Sequence, residues 1–349
     1  MYKQVIALAA ALGLLAGSAG WAIDLVITTA KKDKAPMGRI VSITPQQVEI
    51  EPQTSIGVTR QIPVNEIKSV QFDEEPTALA QARKFMGEGE YAEALDRLEK
   101  FVPAENLRRE IGTEVEYFKA YCAAELALSG NADIPKAGSR MVDFLNDHES
   151  SYHYYQACEL IGDLLAANRA YTQAEPYYRK LAEAPWPDYK MRAGVAIGLN
   201  LLAQNKAAAA NKAFDEVIAS DGAGDLADAQ RMAAKVGKAR CLTAANKLDE
   251  AVKALQGIVN DADADNADLN ALAYNALGTA LRKAHKPQEA VIAFLHVDLL
   301  YSSNPDAHAE ALANLYQLFN ELHKPEHARR VRETLNERYK NSRWAKGLD

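Results

Sequence analysis

Cysteine, tryptophan and surplus positive charge are all scarce in this chain. Its 349 residues hold three Cys and three Trp, and aromatic residues of every kind make up 7%. Three cysteines cannot all pair within one chain, and none stands at metal-ligand spacing, so neither a disulfide framework nor a zinc site organises the fold. Asp and Glu number 47 against 40 Lys and Arg, a formal charge of -7, which denies a nucleic acid the basic stripe it needs. A Gly-rich phosphate loop, a nucleophile elbow and a paired-histidine metal motif are also missing, and Ser, His and acids are scattered without a catalytic frame. These absences argue against an enzyme and against a cofactor.

What is present begins with an address. Lys3 supplies a positive charge, Val5 to Leu15 is apolar, and small residues follow as far as Ala22. This is the layout of a signal peptide, with Gly20-Trp21-Ala22 as its small-x-small cleavage site. The apolar run falls short of the roughly 20 residues of a membrane span. Residues 1–22 are therefore read as a signal peptide cleaved after Ala22, and retention as an anchor is the alternative. No cysteine precedes Cys122, so no lipid anchor is expected. The expected location is periplasmic or extracellular. In that oxidising setting a Cys122–Cys158 disulfide stays open beside the reading of all three cysteines as small buried hydrophobes.

Residues 24–73 alternate or run in β-branched side chains in five short stretches, among them Leu25 to Thr29, Arg39 to Ile43 and Gln47 to Glu51. Turn signals at Lys31 to Lys34, Thr44-Pro45 and Pro52 to Gly57 separate them. The layout resembles Sm-like or SH3-like small barrels, with Val64 to Ile67 as a helical turn before the last strand. Six Lys/Arg and six Asp/Glu balance in this segment, which argues against RNA and for an interaction or capping module.

Ala94, Ala137, Ala174, Ala210, Ala251, Ala290 and Ala328 recur at 36 to 43 residues, most of them just inside a helical run that follows a polar turn. Such a period means stacked helical hairpins. In three units a glycine precedes the alanine by twelve residues and an aromatic follows it by four: Gly162, Ala174, Tyr178; Gly198, Ala210, Phe214; Gly278, Ala290, Phe294. Leu165, Leu201 and Leu281 stand three after each glycine. A mid-helix glycine costs about 1 kcal/mol against alanine, so each is expected where a neighbouring helix crosses closely. The turn His285-Lys286-Pro287 recurs as His323-Lys324-Pro325, with proline suited to the first helical position.

On these residues the chain from Thr77 onward resembles the tetratricopeptide repeat family. The family's tryptophan position holds Cys158, Gly194 and Tyr274 here, and the units are longer than 34 residues. The resemblance implies a mainly α chain: an α-solenoid of about seven hairpins over residues 77–341, preceded by the small β-barrel at 24–73 and followed by a tail at 342–349. It also implies that the first helix of each unit lines a concave face. By position this points to Arg83, Glu159, Asp163, Arg240, Asn275, Thr279, Arg282, Gln317 and Asn320 as groove residues. Only Asn275 matches a carboxylate-clamp position, so no such clamp is expected.

Asp261 to Asn266 resembles the start of a calcium loop but lacks the glycine and glutamate that complete it; capping of the next helix is the plainer reading. The aromatic clusters Ser151 to Tyr155 and Ala184 to Tyr189 read as packing, or else as an exposed ligand or glycan platform. The sequence thus describes an exported, non-enzymatic scaffold for protein or peptide partners, in the setting of an envelope-associated complex. The alternatives are a self-assembling structural component and a carbohydrate-binding or enzymatic protein using the aromatic loops.

Overall fold

The computed structural model describes residues 23–29 and 35–348. The expected signal peptide lies outside the described residues. The chain begins with five antiparallel strands, β1 (Asp24–Thr28), β2 (Met37–Ile43), β3 (Gln47–Pro52), β4 (Arg60–Pro63) and β5 (Ile67–Gln71), with a 3-10 turn at Val64–Glu66 before the last. Their order in the sheet is β4-β3-β2-β1-β5. The sheet does not close into a barrel: β4 and β5 remain its two edges. β4 is only four residues long and ends at Pro63, which has no N–H to extend a ladder. β2 bends through a register shift between Ile40 and Ser42. Gly38 sits so close to the Glu51 carbonyl that a Cβ there would collide with it. One face buries Val26, Val48, Ile50, Ile62, Val70 and Phe72.

Fourteen helices follow in seven hairpins: α1 (Thr77–Gly87) with α2 (Tyr91–Glu99), α3 (Arg109–Leu128) with α4 (Ile134–Asp147), α5 (Tyr154–Ala167) with α6 (Tyr171–Ala182), and α7 (Pro187–Ala203) with α8 (Ala207–Ile218). Then come α9 (Asp225–Ala244) with α10 (Leu248–Asp261), α11 (Ala267–Lys283) with α12 (Pro287–Leu300), and α13 (Pro305–Glu321) with α14 (Pro325–Tyr339). A short α15 (Arg343–Lys346) ends the described chain. Each second helix packs on its own partner and on the first helix of the next unit. First helices also touch one another directly, α7 on α9, α9 on α11 and α11 on α13, so they form the inner wall.

One turn geometry closes all seven hairpins. The second residue past each first helix takes a left-handed backbone: Gly89, Gly130, Arg169, Asn205, Asn246, His285 and His323. The next N–H then bonds back five residues, from Ala170 to the Leu165 carbonyl (2.8 Å), Lys206 to Leu201 (2.9 Å) and Lys286 to Leu281 (3.0 Å). This is the Schellman helix stop. The leucines of the sequence register thus supply the carbonyls that end the helices.

The glycine–aromatic register is a physical contact. A Cβ on Gly162 would fall closer than 3.0 Å to the Tyr178 ring, on Gly198 to Phe214, and on Gly278 to Phe294. Gly237 of α9 meets the other side of Phe214, so that ring is clamped between two units. All seven recurrent alanines are buried. Cys122, Cys158 and Cys241 are buried free thiols, and burial pushes the first two up to about 12.

Candidate functional site

The inner wall carries two hollows. The first lies over the early units and is bounded by Arg83 of α1, Tyr117, Tyr121 and Glu125 of α3, Glu159 and Asp163 of α5, and Arg192 of α7. The second is a longer trough over the later units, walled by Leu199 and Leu202 of α7, Arg240 and Thr243 of α9, Asp268, Ala276 and Thr279 of α11, and Asp306 and Glu310 of α13. Their spacing follows from the inner helices standing side by side, each giving one face to the wall.

All nine residues expected in the groove lie on first helices. Arg83, Glu159 and Asp163 line the first hollow, Arg240 and Thr279 the second; Asn275, Arg282, Gln317 and Asn320 line neither. Most of them tie helices together. Arg83 donates to both Glu75 oxygens at 2.6 Å and to the Val70 carbonyl at 2.7 Å, joining sheet to array. Glu159 pairs with Arg192 and so spans α5 and α7. Asn275 is fully buried and donates to the Ala307 carbonyl at 2.8 Å. Arg282 donates to Gln317 at 2.6 Å and pairs with Glu321. Thr279 and Asn320 bond back to their own helix, at Asn275 O (2.9 Å) and Tyr316 O (3.0 Å). Arg240 stands at the trough wall with its Nη2 3.7 Å from Glu310 and its buried Nε without a hydrogen-bond partner.

The first hollow sets Lys68, Arg83 and Arg192 against Glu125, Glu159 and Asp163. Burial pushes the Glu125 carboxyl up. Burial does the same to Glu159, against the pull of Arg192. Asp163 accepts from the Tyr178 hydroxyl at 2.8 Å; burial, then the charge of Glu159, pushes it up to about 7. In the second, burial raises Glu310 against Arg240.

Beside the first hollow sits a buried polar cluster that the sequence did not reveal. Glu114 accepts from Tyr152 (2.9 Å) and lies 2.9 Å from His153 Nε2 and 3.6 Å from Arg83. Burial opposes its charge, yet His153 and Arg83 outweigh that and hold the carboxyl below its ordinary range. His153 stacks on Tyr117 with ring centroids 3.5 Å apart. The aromatic stretches are therefore core, not a displayed platform: Tyr152, His153, Tyr155 and Tyr189 are all buried. The acidic loop caps a helix, Asn266 accepting from the Leu269 N–H at 3.2 Å. Among the described residues no group of three or more His, Cys, Asp or Glu is placed to hold a metal ion. No helix among them is long and apolar enough to cross a membrane.

The sequence also missed the far end of the trough. The segment after α14 turns back: the Asn341 N–H donates to the Gly130 carbonyl at 3.1 Å, in the α3–α4 turn. Arg343 donates to Asp306 Oδ2 at 2.6 Å and the Trp344 indole to Oδ1 of the same carboxylate at 2.9 Å. The pair Asp306 and Glu310, four apart on α13, was the readable signal of an acidic helix face.

This architecture is that of a tetratricopeptide-like helical array. Among solved structures the chain is similar to a tetratricopeptide repeat protein from Parabacteroides merdae ATCC 43184, with a TM-score of 0.52 and 14% identity, covering 78% of this chain and 95% of that one. It also aligns with PilW, a type IV pilus biogenesis factor (TM-score 0.40, 14% identity, 67% of this chain and 98% of that one). A third is a Rap protein complexed with competence and sporulation factor (TM-score 0.48, 12% identity, 78% and 77%). At these identities the likeness establishes the fold alone. No family model matches the chain, and no curated protein matches it.

Proposed function

We propose that this chain is an exported, non-enzymatic scaffold that holds a partner protein or an extended peptide along the inner face of its helical array. The supporting observation is the second hollow. Four successive inner helices, α7, α9, α11 and α13, wall one continuous trough with both apolar and charged side chains. An extended peptide suits such a surface, with anchors spaced along the wall. Export rests on the pattern of residues 3 to 22. The test is capture from an envelope extract by the intact chain and by an Arg240→Glu variant. The reading expects a discrete co-purifying protein that the variant loses. Equal capture by both would remove the trough from the binding surface.

A second reading, self-assembly, is favoured by one observation. The outer helix α12 exposes Ile292 (57%), Leu299 (71%) and Leu300 (65%), an apolar stripe without cover in the monomer. Light scattering distinguishes the two. Self-assembly expects a dimer or larger species that Ile292→Lys and Leu299→Lys dissolve; a monodisperse monomer excludes it.

A further inference from the structure

We infer that residues 342–348 form an intramolecular ligand of the trough, and that the partner displacing them presents a cation followed directly by an indole or similar aromatic ring. The inference rests on the trough being the binding surface. It adds the occupant's chemistry and a built-in competitor.

The geometry is that of recognition and not of a loose end. Asp306 is read by two adjacent side chains at once: its two oxygens accept separately from the Arg343 guanidinium (2.6 Å) and the Trp344 indole N–H (2.9 Å). A guanidinium and an indole on one carboxylate define a two-residue motif, because each donor has a fixed direction. Arg343 also lies over the Trp344 ring, 4.9 Å from its centroid, so cation and ring are organised together. Both side chains line the trough beside Arg240 and Glu310. The Asn341 N–H and the Arg343 carbonyl tie the segment to earlier units, and a local cap shapes it. Its Arg343 carbonyl lies 3.5 Å from Arg169 Nη2, and Ser342 caps α15 by accepting from the Ala345 N–H at 3.2 Å. Gly130 faces Tyr339 and Ser342 so closely that a Cβ would press on them at 3.1 Å.

A tethered segment acts at high effective concentration, on the order of millimolar for a short link. It therefore holds the Asp306 end of the trough against weak ligands and yields there to a partner with the same motif plus further contacts. The trough sets Asp268, Asp306 and Glu310 against Arg169, Arg240 and Lys283, and Asp306 is the acid that reads the cation.

The experiment uses the full chain. A fluorescein-labelled peptide Asn-Ser-Arg-Trp-Ala-Lys-Gly-Leu-Asp, the chain's own last nine residues, is titrated by anisotropy against the wild type and against an Arg343→Ala, Trp344→Ala double variant. The inference expects the double variant to bind the peptide about tenfold or more tightly than the wild type. It also expects Asp306→Asn in the same background to abolish binding, and a peptide with Arg and Trp changed to Ala to fail. Circular dichroism establishes that each variant is folded. A folded double variant with no saturable binding up to millimolar peptide overturns the inference, as does binding indifferent to Asp306→Asn. If either occurs while Arg240→Glu still abolishes partner capture, the inference fails and the proposed function stands. If capture is indifferent to Arg240→Glu while Asp306-dependent peptide binding persists, the reverse holds.

Discussion

Around α3 and α5 the chain is held by groups far apart in sequence, whereas from α7 to α14 the same short-range devices recur. At the first end Asp24, wholly buried in β1, accepts from the Ile40 and Asp73 N–H groups and from both Arg108 nitrogens. Glu114 gathers Tyr152, His153 and Arg83. The sheet and the first three hairpins share one apolar core through residues such as Val48, Leu79 and Ile111. At the other end the devices are local to a hairpin: a Schellman turn and a buried alanine in every unit, with the glycine and its aromatic plug in α7–α8 and α11–α12. A repeat array can tolerate a local fault in one unit, but a polar node joining several elements cannot lose one member without stranding the rest.

The largest expected effect follows from that difference. Glu114→Ala leaves His153 and Arg83 buried without their shared carboxylate, a loss of roughly 3–5 kcal/mol. Thermal melts should show the greatest fall for this variant. A melt matching the wild type would mean that the two ends are held alike.

Next comes the repeated contact. Gly278→Val pushes into Phe294 and should cost roughly 1–3 kcal/mol. Gly257→Ala in α10, where a Cβ meets nothing within 4 Å, should instead add about 0.5–1 kcal/mol. Equal responses in urea unfolding would show that glycine serves no crossing.

Asp163 sharpens the comparison through pH. Its pKa is pushed up to about 7, while an unfolded Asp titrates near ~3.9. Between those values the folded chain keeps a proton that the unfolded chain has lost, so this group's contribution falls as pH rises. Asp163→Asn should remove that fall, raising the melting temperature at pH 8 by about 2–4 °C relative to its effect at pH 4. A pH-independent shift would contradict the assignment.

The smallest effect belongs to a turn. His323 is exposed with φ of 55°, a region that costs a non-glycine residue about 1 kcal/mol. His323→Gly should return about that much stability in a denaturant titration, and no gain would argue against strain at these stops.

The same comparison explains what was legible. The hairpins could be read because Gly278, Ala290 and Phe294 act within one unit at fixed spacing, and His285 and His323 mark equivalent turns. The five strands could be read from their alternation, but closure could not, since it depends on whether the edges β4 and β5 meet. The period put the nine expected groove residues on first helices. Their engagement was hidden, because partners such as Glu159 and Arg192 or Arg282 and Gln317 lie 33 and 35 residues apart. The return of Arg343 to Asp306 and Arg169 was hidden for the same reason: no local pattern announces a contact 174 residues away.

Site-directed photocrosslinking in the native cell tests the inner face most directly. A photoreactive residue at Thr279, on the trough wall, is compared with one at exposed Lys253 on the outer helix α10. Adducts to another protein at Thr279 and none at Lys253 are the predicted result; adducts arising from Lys253 alone would contradict it.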